Sequence, residues 1–313
     1  MERIVETIKL NGQVLEYSML GEGEPVLVMH GGHSSCNEEL GYANLIKNGY
    51  SIITPSRAGY GRTSRAIGES LTKACKYYVQ LLDQLNLKKV HLLAVSAGGP
   101  SGIIFASNYP KRVKTLTLQS AVMKQWHTPK DMEYKVAHVL FKPPFEKITW
   151  KLVSAMSNKF PNYMFKQFVP SFSTLSNKKV TERICKTDLD VFNRMTSRQR
   201  SGHGFLIDLA QTDKLSTDDL ESISCPTLIM HSKNDAAVPV EHAHYADKHI
   251  PNSELCILDS WGHLIWIGEH AKEFDTKLNH FLQAHTEKCI RITRLTYFGL
   301  PLVAVPPSNR FSP

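Results

Sequence analysis

Ser96 stands where a serine could become a nucleophile. Residues 90–95 are apolar, partly β-branched and of strand length, and residues 100–106 read as the opening of a helix. Pro100 suits the first helical turn, where its missing N–H costs nothing. A serine caught between strand and helix projects its hydroxyl clear of the sheet, provided small residues lie two before and two after it. Here those are Ala94 and Gly98, in the run Ala94-Val95-Ser96-Ala97-Gly98. The backbone N–H of Ala97, at the helix start, would face an oxyanion forming on a substrate carbonyl. The competing role for Ser96 is an ordinary helix N-cap. What separates the two is a base to take the hydroxyl proton and an acid to hold that base.

Two later strand ends supply such groups. Residues 226–230 form a short apolar run ending in His231-Ser232-Lys233-Asn234-Asp235, and residues 254–258 end in Asp259-Ser260-Trp261-Gly262-His263. Asp213, Asp219 and Asp259 are rival acids, but only Asp235 heads an Asp-x-x-Val-Pro run. His270 and His280 are rival bases, expected on a solvated closing helix near 269–284. His30 and His231 read as loop braces. His242-Ala243-His244 lacks the i, i+4 spacing of a helical metal-ligand pair, so no metal is expected.

The elements that must position these groups alternate. Two strands flank the turn signal Asn11-Gly12, and strands follow at 26–29, 50–54, 90–95 and 113–118, with a helix at 71–85 and another after Ser96. Strands alternating with helices imply a mostly parallel doubly wound sheet, with its site at the carboxyl ends of the strands. From 122 to 203 the alternation stops. Aromatics, methionines and prolines cut that stretch into short helices, as in an inserted cap. Residues 1–121 and 204–285 are then the core, and 286–313 an irregular tail lying outside the catalytic core.

On these motifs the chain resembles the α/β-hydrolase fold superfamily, in its serine-nucleophile branch with a helical cap, from about residue 10 to 284. The resemblance rests on His30-Gly31-Gly32, Arg57-Ala58-Gly59-Tyr60-Gly61, Ala94-Val95-Ser96-Ala97-Gly98, Asp235-Ala236-Ala237-Val238-Pro239 and Gly262-His263. It implies the nucleophile–acid–base order Ser96, Asp235, His263. It also implies a second oxyanion donor just after the His-Gly pair, the N–H of Gly32. The sequence departs from the family at Ala94, where glycine is usual, at Ser232, and at Pro55-Ser56. The implied activity is hydrolysis of a small ester or related acyl compound through an acyl-serine, without cofactor. Hydrolysis of a C–C bond in a vinylogous keto acid, cofactor-free perhydrolase chemistry and a non-catalytic ligand receptor are the alternatives.

Composition narrows the partners. The net charge is +8, yet residues 122–203 hold 15 Lys/Arg against 6 Asp/Glu, so the remainder is close to neutral. A uniformly basic nucleic-acid binder would not look like this. The basic stretch could instead select an anionic substrate, with Arg194, Arg198 and Arg200 as candidate cations, or lie near an acidic surface. No apolar run approaches the roughly 20 residues of a membrane span. The six scattered cysteines contain no C-x-x-C pair, which fits a reducing cytoplasm rather than a disulfide framework.

Overall fold

A computed structural model describes residues 2–286. Apart from Thr286, the tail expected over 286–313 lies outside the described residues.

Eight strands form one sheet: β1 (Ile4–Leu10), β2 (Gln13–Leu20), β3 (Glu24–Met29), β4 (Tyr50–Pro55), β5 (Val90–Val95), β6 (Val113–Gln119), β7 (Thr227–Ser232) and β8 (Ser253–Leu258). Their spatial order is β1-β2-β4-β3-β5-β6-β7-β8. The β1–β2 hairpin turns on Asn11 and Gly12, both at positive φ, and β2 meets β4 antiparallel. All other pairs are parallel, as the βα alternation requires. The chain moves outward from β3 to β4, then returns past β3 to lay down β5. The carboxyl ends of β3 and β5 therefore flank the point where strand order reverses, the place where such sheets open a crevice.

Strands β5 and β7 are buried on both faces, so they read as continuous apolar runs. One face packs under the helices Leu71–Gln84 and Gly99–Asn108, through residues such as Tyr78, Leu81 and Phe105. The other packs under Ala271–Ala284, through Phe274, Leu278 and Phe281. Among the described residues no helix is long and apolar enough to cross a membrane.

The departure at Ala94 has a steric explanation. Gly102, one turn into the helix after Ser96, faces it, and a Cβ built on Gly102 would lie 2.4 Å from Ala94 Cβ. The missing methyl has moved across the strand–helix contact. Gly102→Ala should therefore destabilise the fold, by about 1–3 kcal/mol of overpacking less the roughly 1 kcal/mol that alanine gains in a helix. Adding Ala94→Gly should restore the urea midpoint; no rescue would sink the account.

Between β6 and β7 the chain leaves the sheet. Helices Met132–Leu140, Phe145–Lys159, Pro161–Phe172, Asn177–Arg183 and Lys186–Arg198 lie over its carboxyl edge, followed by Gly204–Leu209. Phe165, Val169, Phe192 and Met195 pack onto Trp261, Leu264 and Ile267, which belong to the loop after β8. Phe205 and Leu209 cluster with Tyr60 of the loop after β4. The buried Arg57 guanidinium is paired with Asp208, with one Nη2–Oδ2 bond of 2.8 Å, and Tyr60 donates to the same carboxylate at 2.6 Å. The helical segment thus packs Phe165, Val169, Phe192 and Met195 on the loop that carries His263.

Candidate active site

Ser96 follows β5 directly and begins a helical turn, Ser96–Gly98, that runs into Gly99–Asn108. Its φ is +51°, a left-handed conformation that costs a non-glycine residue about 1–3 kcal/mol. The strain is held by the strand behind, the helix ahead and the bond from Val122 N–H to Ser96 O at 2.9 Å. The turn aims Oγ away from the sheet, into a cavity.

His263 meets it there. Ser96 Oγ lies 2.9 Å from His263 Nε2, and His263 Nδ1 lies 2.8 Å from Asp235 Oδ2. A carboxylate accepts only, so Nδ1 carries the proton and Nε2 is left to accept from the serine. Asp235 and His263 are each 4% exposed. Asp235 Oδ1 accepts the N–H groups of Ala237 and Val238, each at 2.9 Å, which is the physical content of the Asp-x-x-Val-Pro run. Burial pushes the Asp235 carboxyl up, but His263 and His231 beside it prevail and hold it at about 2.

The bracing residues were partly legible. His231 reaches Val238 O at 2.8 Å and Asp235 Oδ2 at 3.3 Å, so it clasps the acid loop. His30 donates from Nδ1 to Gly31 O at 2.8 Å and accepts Arg57 N–H on Nε2 at 2.9 Å, fixing the Gly31-Gly32 loop. Ser232, a departure from the family pattern, bonds Ser260 O at 3.1 Å and ties the acid loop to the histidine loop. One further brace carries no sequence signal, because a backbone atom supplies it. The Phe172 carbonyl at the end of Pro161–Phe172 accepts His263 N–H at 2.8 Å. A Cβ on Gly262 would lie 2.3 Å from that carbonyl, so the residue before the histidine must be glycine. Ser120, at φ +45°, donates to His263 O at 2.7 Å.

The rivals fall elsewhere. Asp259 is bound to Arg183 and Lys233 in a half-exposed cluster. His270 pairs with Glu273 at 3.1 Å and His280 is exposed on the closing helix. His242 is buried and accepts Met123 N–H, while His244 points outward.

Gly31, Gly32, Ser96, Ala97 and His263 share one cavity of about 310 Å³. A Cβ built on Gly32 would lie 3.6 Å from Ala97 Cβ and 3.0 Å from the Phe205 ring, so the two expected oxyanion donors are neighbours beside the serine. Trp126, Phe141, Trp150, Phe168, Phe172 and Phe205 are the aromatic part of its wall together with Trp266. No Lys or Arg among the described residues lines it. The arginines weighed as pocket cations lie outside: Arg198 bonds Glu39 at 3.1 Å, Arg194 stands 4.0 Å from the same carboxylate, and Arg200 turns back to Gln199 O.

Glu38 is the unforeseen group. Glu38 lines the cavity and is 4% exposed, and its carboxyl accepts the N–H of Glu39 at 3.1 Å. Burial pushes it up to about 7, against the pull of the Glu39 N–H and of Arg198. The sign follows: a folded value above the unfolded one gives stability that is complete below the unfolded pKa and lost as pH rises through about 7. Glu38→Gln should therefore raise stability in alkaline buffer, by about 2–3 kcal/mol between about pH 5 and 8.5. Urea midpoints at the two pH values check this, and an equal effect at both would refute it.

Known proteins bear the architecture out. A family described as alpha/beta hydrolase fold matches residues 24–269. An uncharacterized hydrolase of Bacillus subtilis is 57% identical over 284 residues, covering 91% of this chain and 100% of the relative. A 2-hydroxy-6-oxononadienedioate/2-hydroxy-6-oxononatrienedioate hydrolase of Pseudomonas putida is 29% identical, covering 86% of this chain and 91% of its own. Among solved structures, an alpha/beta hydrolase fold protein from Nakamurella multipartita superposes with a TM-score of 0.78 at 25% identity, covering 90% of this chain and 100% of that one.

Proposed function

The chain belongs to the alpha/beta hydrolase fold family and is a hydrolase by that kinship, and from this premise we propose that it cleaves a small, uncharged ester or related acyl compound through an acyl-serine intermediate. The observation that carries the reading is the continuous line from Ser96 Oγ through the His263 ring to Asp235, opening on an apolar cavity. In this reading His263 Nε2 takes the proton as Ser96 Oγ attacks the carbonyl carbon. The N–H groups of Gly32 and Ala97 receive the oxyanion, and Asp235 stabilises the imidazolium. His263 then hands its proton to the departing alkoxide. Water repeats the sequence on the acyl-serine, releasing the acid and restoring Ser96. These groups and water account for every bond change, so the proposed reaction calls on no cofactor. Residues 122–203 serve as the cap.

The wall supports the substrate class. The dioate named for the Pseudomonas putida relative carries two carboxylates. Here a dianion would enter a low-dielectric cavity lined by Glu38 and by no cation among the described residues. Desolvating charge without a partner is costly, so an uncharged acyl group fits better.

Rapid mixing with a p-nitrophenyl ester should give a burst of nitrophenolate, and fluorophosphonate should label Ser96 in a peptide map. The uncharged ester should be turned over at least about tenfold faster than its carboxylate-bearing analogue, a difference of about 1.4 kcal/mol. Ligand retention with neither burst nor label would favour a receptor. Preference for the carboxylate analogue would overturn the substrate class and leave the acyl-serine standing.

A further inference from the structure

Large apolar side chains are exposed in one place above all. Of the twelve such residues among those described, ten lie between Met132 and Tyr163. Met132, Val136, Val139 and Leu140 share one side of the helix Met132–Leu140, at 67, 44, 69 and 41% exposure. Phe145, Ile148, Leu152 and Met156 share one side of Phe145–Lys159, at 59, 57, 62 and 38%. The spacings are those of a stripe along each helix. Two such stripes on helices that contact each other are more than the scatter of single apolar residues any surface shows. The inward sides of the same segments supply Trp150 and Phe141 to the cavity.

The charge around the stripes is predominantly positive, with Asp131 half-buried just ahead of the first helix. Lys135, Lys142, Lys147, Lys151, Lys159 and Lys166 are all exposed, against one exposed acid, Glu133; Glu146 is buried and accepts Ser201 N–H at 3.2 Å. The lysine ion pairs of the described residues use Lys73, Lys114, Lys214, Lys233 and Lys277 instead.

We propose that this face, residues 132–163 with their flanking lysines, docks reversibly on an anionic lipid bilayer. An apolar stripe with a basic rim matches the two layers of a membrane surface: acyl boundary beneath, lipid phosphates at the edge. Long lysine stems let the ammonium groups reach those phosphates while the helices lie flat. A second copy of the chain is the poorer partner, since a two-fold contact sets the same surface against itself and brings like-charged rims together. The docking is independent of the reaction proposed above. It would place the cavity within about one helix diameter, 10–12 Å, of the lipid.

Flotation of the full chain with vesicles decides it. Vesicles of phosphatidylcholine with about 30 mol% phosphatidylserine should carry the protein, pure phosphatidylcholine far less, and raising salt from about 20 to 500 mM should release it. Ile148→Glu with Leu152→Glu should cut binding at least about tenfold, and Lys147→Ser with Lys151→Ser several-fold on the anionic vesicles alone. Hydrolysis of a soluble p-nitrophenyl ester and the melting temperature should not change in either variant. Should the glutamates impair folding, Ile148→Ser with Leu152→Ser replaces them. No flotation of the wild type, or flotation that ignores these substitutions, overturns the proposal. So would a dimer in sedimentation that the glutamates dissociate, which gives the face to a second copy. Intramolecular cross-links from Lys147 to Lys288 would give it to the chain's own last residues.

Discussion

Ser96→Ala should lower kcat for ester hydrolysis by about 10⁴–10⁶-fold and leave the protein folded. The loss is large because the proposed path has no second nucleophile. The oxygen 2.9 Å from His263 Nε2 is the one that would become the acyl carrier. Its removal leaves the oxyanion donors and the cavity, which by themselves hold substrate and still give some acceleration over water. Folding should survive, since Ser96 is half-buried and its hydroxyl bonds only the His263 ring among the described residues. The backbone supplies a control. At φ +51° alanine keeps the strain that serine bears, whereas glycine is free of it. Ser96→Gly should be equally inactive yet more stable than Ser96→Ala, by about 1 kcal/mol in a urea titration. Activity within about tenfold of wild type in either variant would end the serine reading.

Ser96, Asp235 and His263 could be picked out of the sequence because local chemistry dictates each setting. The elbow demands small residues around a strand-to-helix turn, and the acid loop demands two N–H groups for one carboxylate oxygen. Both demands leave residue types at fixed offsets. The sheet was legible for the same reason: buried strands are short apolar runs punctuated by Gly, Pro and Asn. Glu38 was not legible. Nothing in Asn37-Glu38-Glu39-Leu40 distinguishes the buried carboxyl from the exposed one beside it; only the tertiary position of the loop does. The Phe172 carbonyl was not legible either, since a backbone acceptor has no residue type. The basic stretch was visible as composition, but not its orientation. Whether Arg194 and Arg198 face the cavity or Glu39 depends on how the helix Lys186–Arg198 docks on Trp261, and its period separates a buried from an exposed face without showing what lies against either.

Asp235→Asn tests the acid with a change of one atom and an expected loss of about 10⁴-fold in kcat. The local hydrogen bonds decide what the new amide does. Ala237 and Val238 both donate to Oδ1, so the amide oxygen is held there and the NH₂ group takes the place of Oδ2. That NH₂ then faces His263 Nδ1 across 2.8 Å, and two donors cannot share the contact. Nδ1 must give up its proton and accept, which moves the ring proton to Nε2, the atom that faces Ser96. The base is then unable to take the serine proton, although no heavy atom need have moved. Stability separates this from unfolding. Asp235 is held at about 2, below its ordinary 3.8, so its carboxylate stabilises the fold above about pH 4 and that contribution is lost as pH falls through about 2. The variant should therefore melt lower than wild type at neutral pH, by an amount that shrinks in acid, while a shape-sensitive spectrum stays native at assay temperature. Asp259→Asn is the matched control. That carboxylate sits in a half-exposed pair with Arg183 and Lys233, and its loss should change kcat by less than about threefold. An Asp235→Asn enzyme within tenfold of wild type, or an Asp259→Asn enzyme equally impaired, would assign the orienting acid elsewhere.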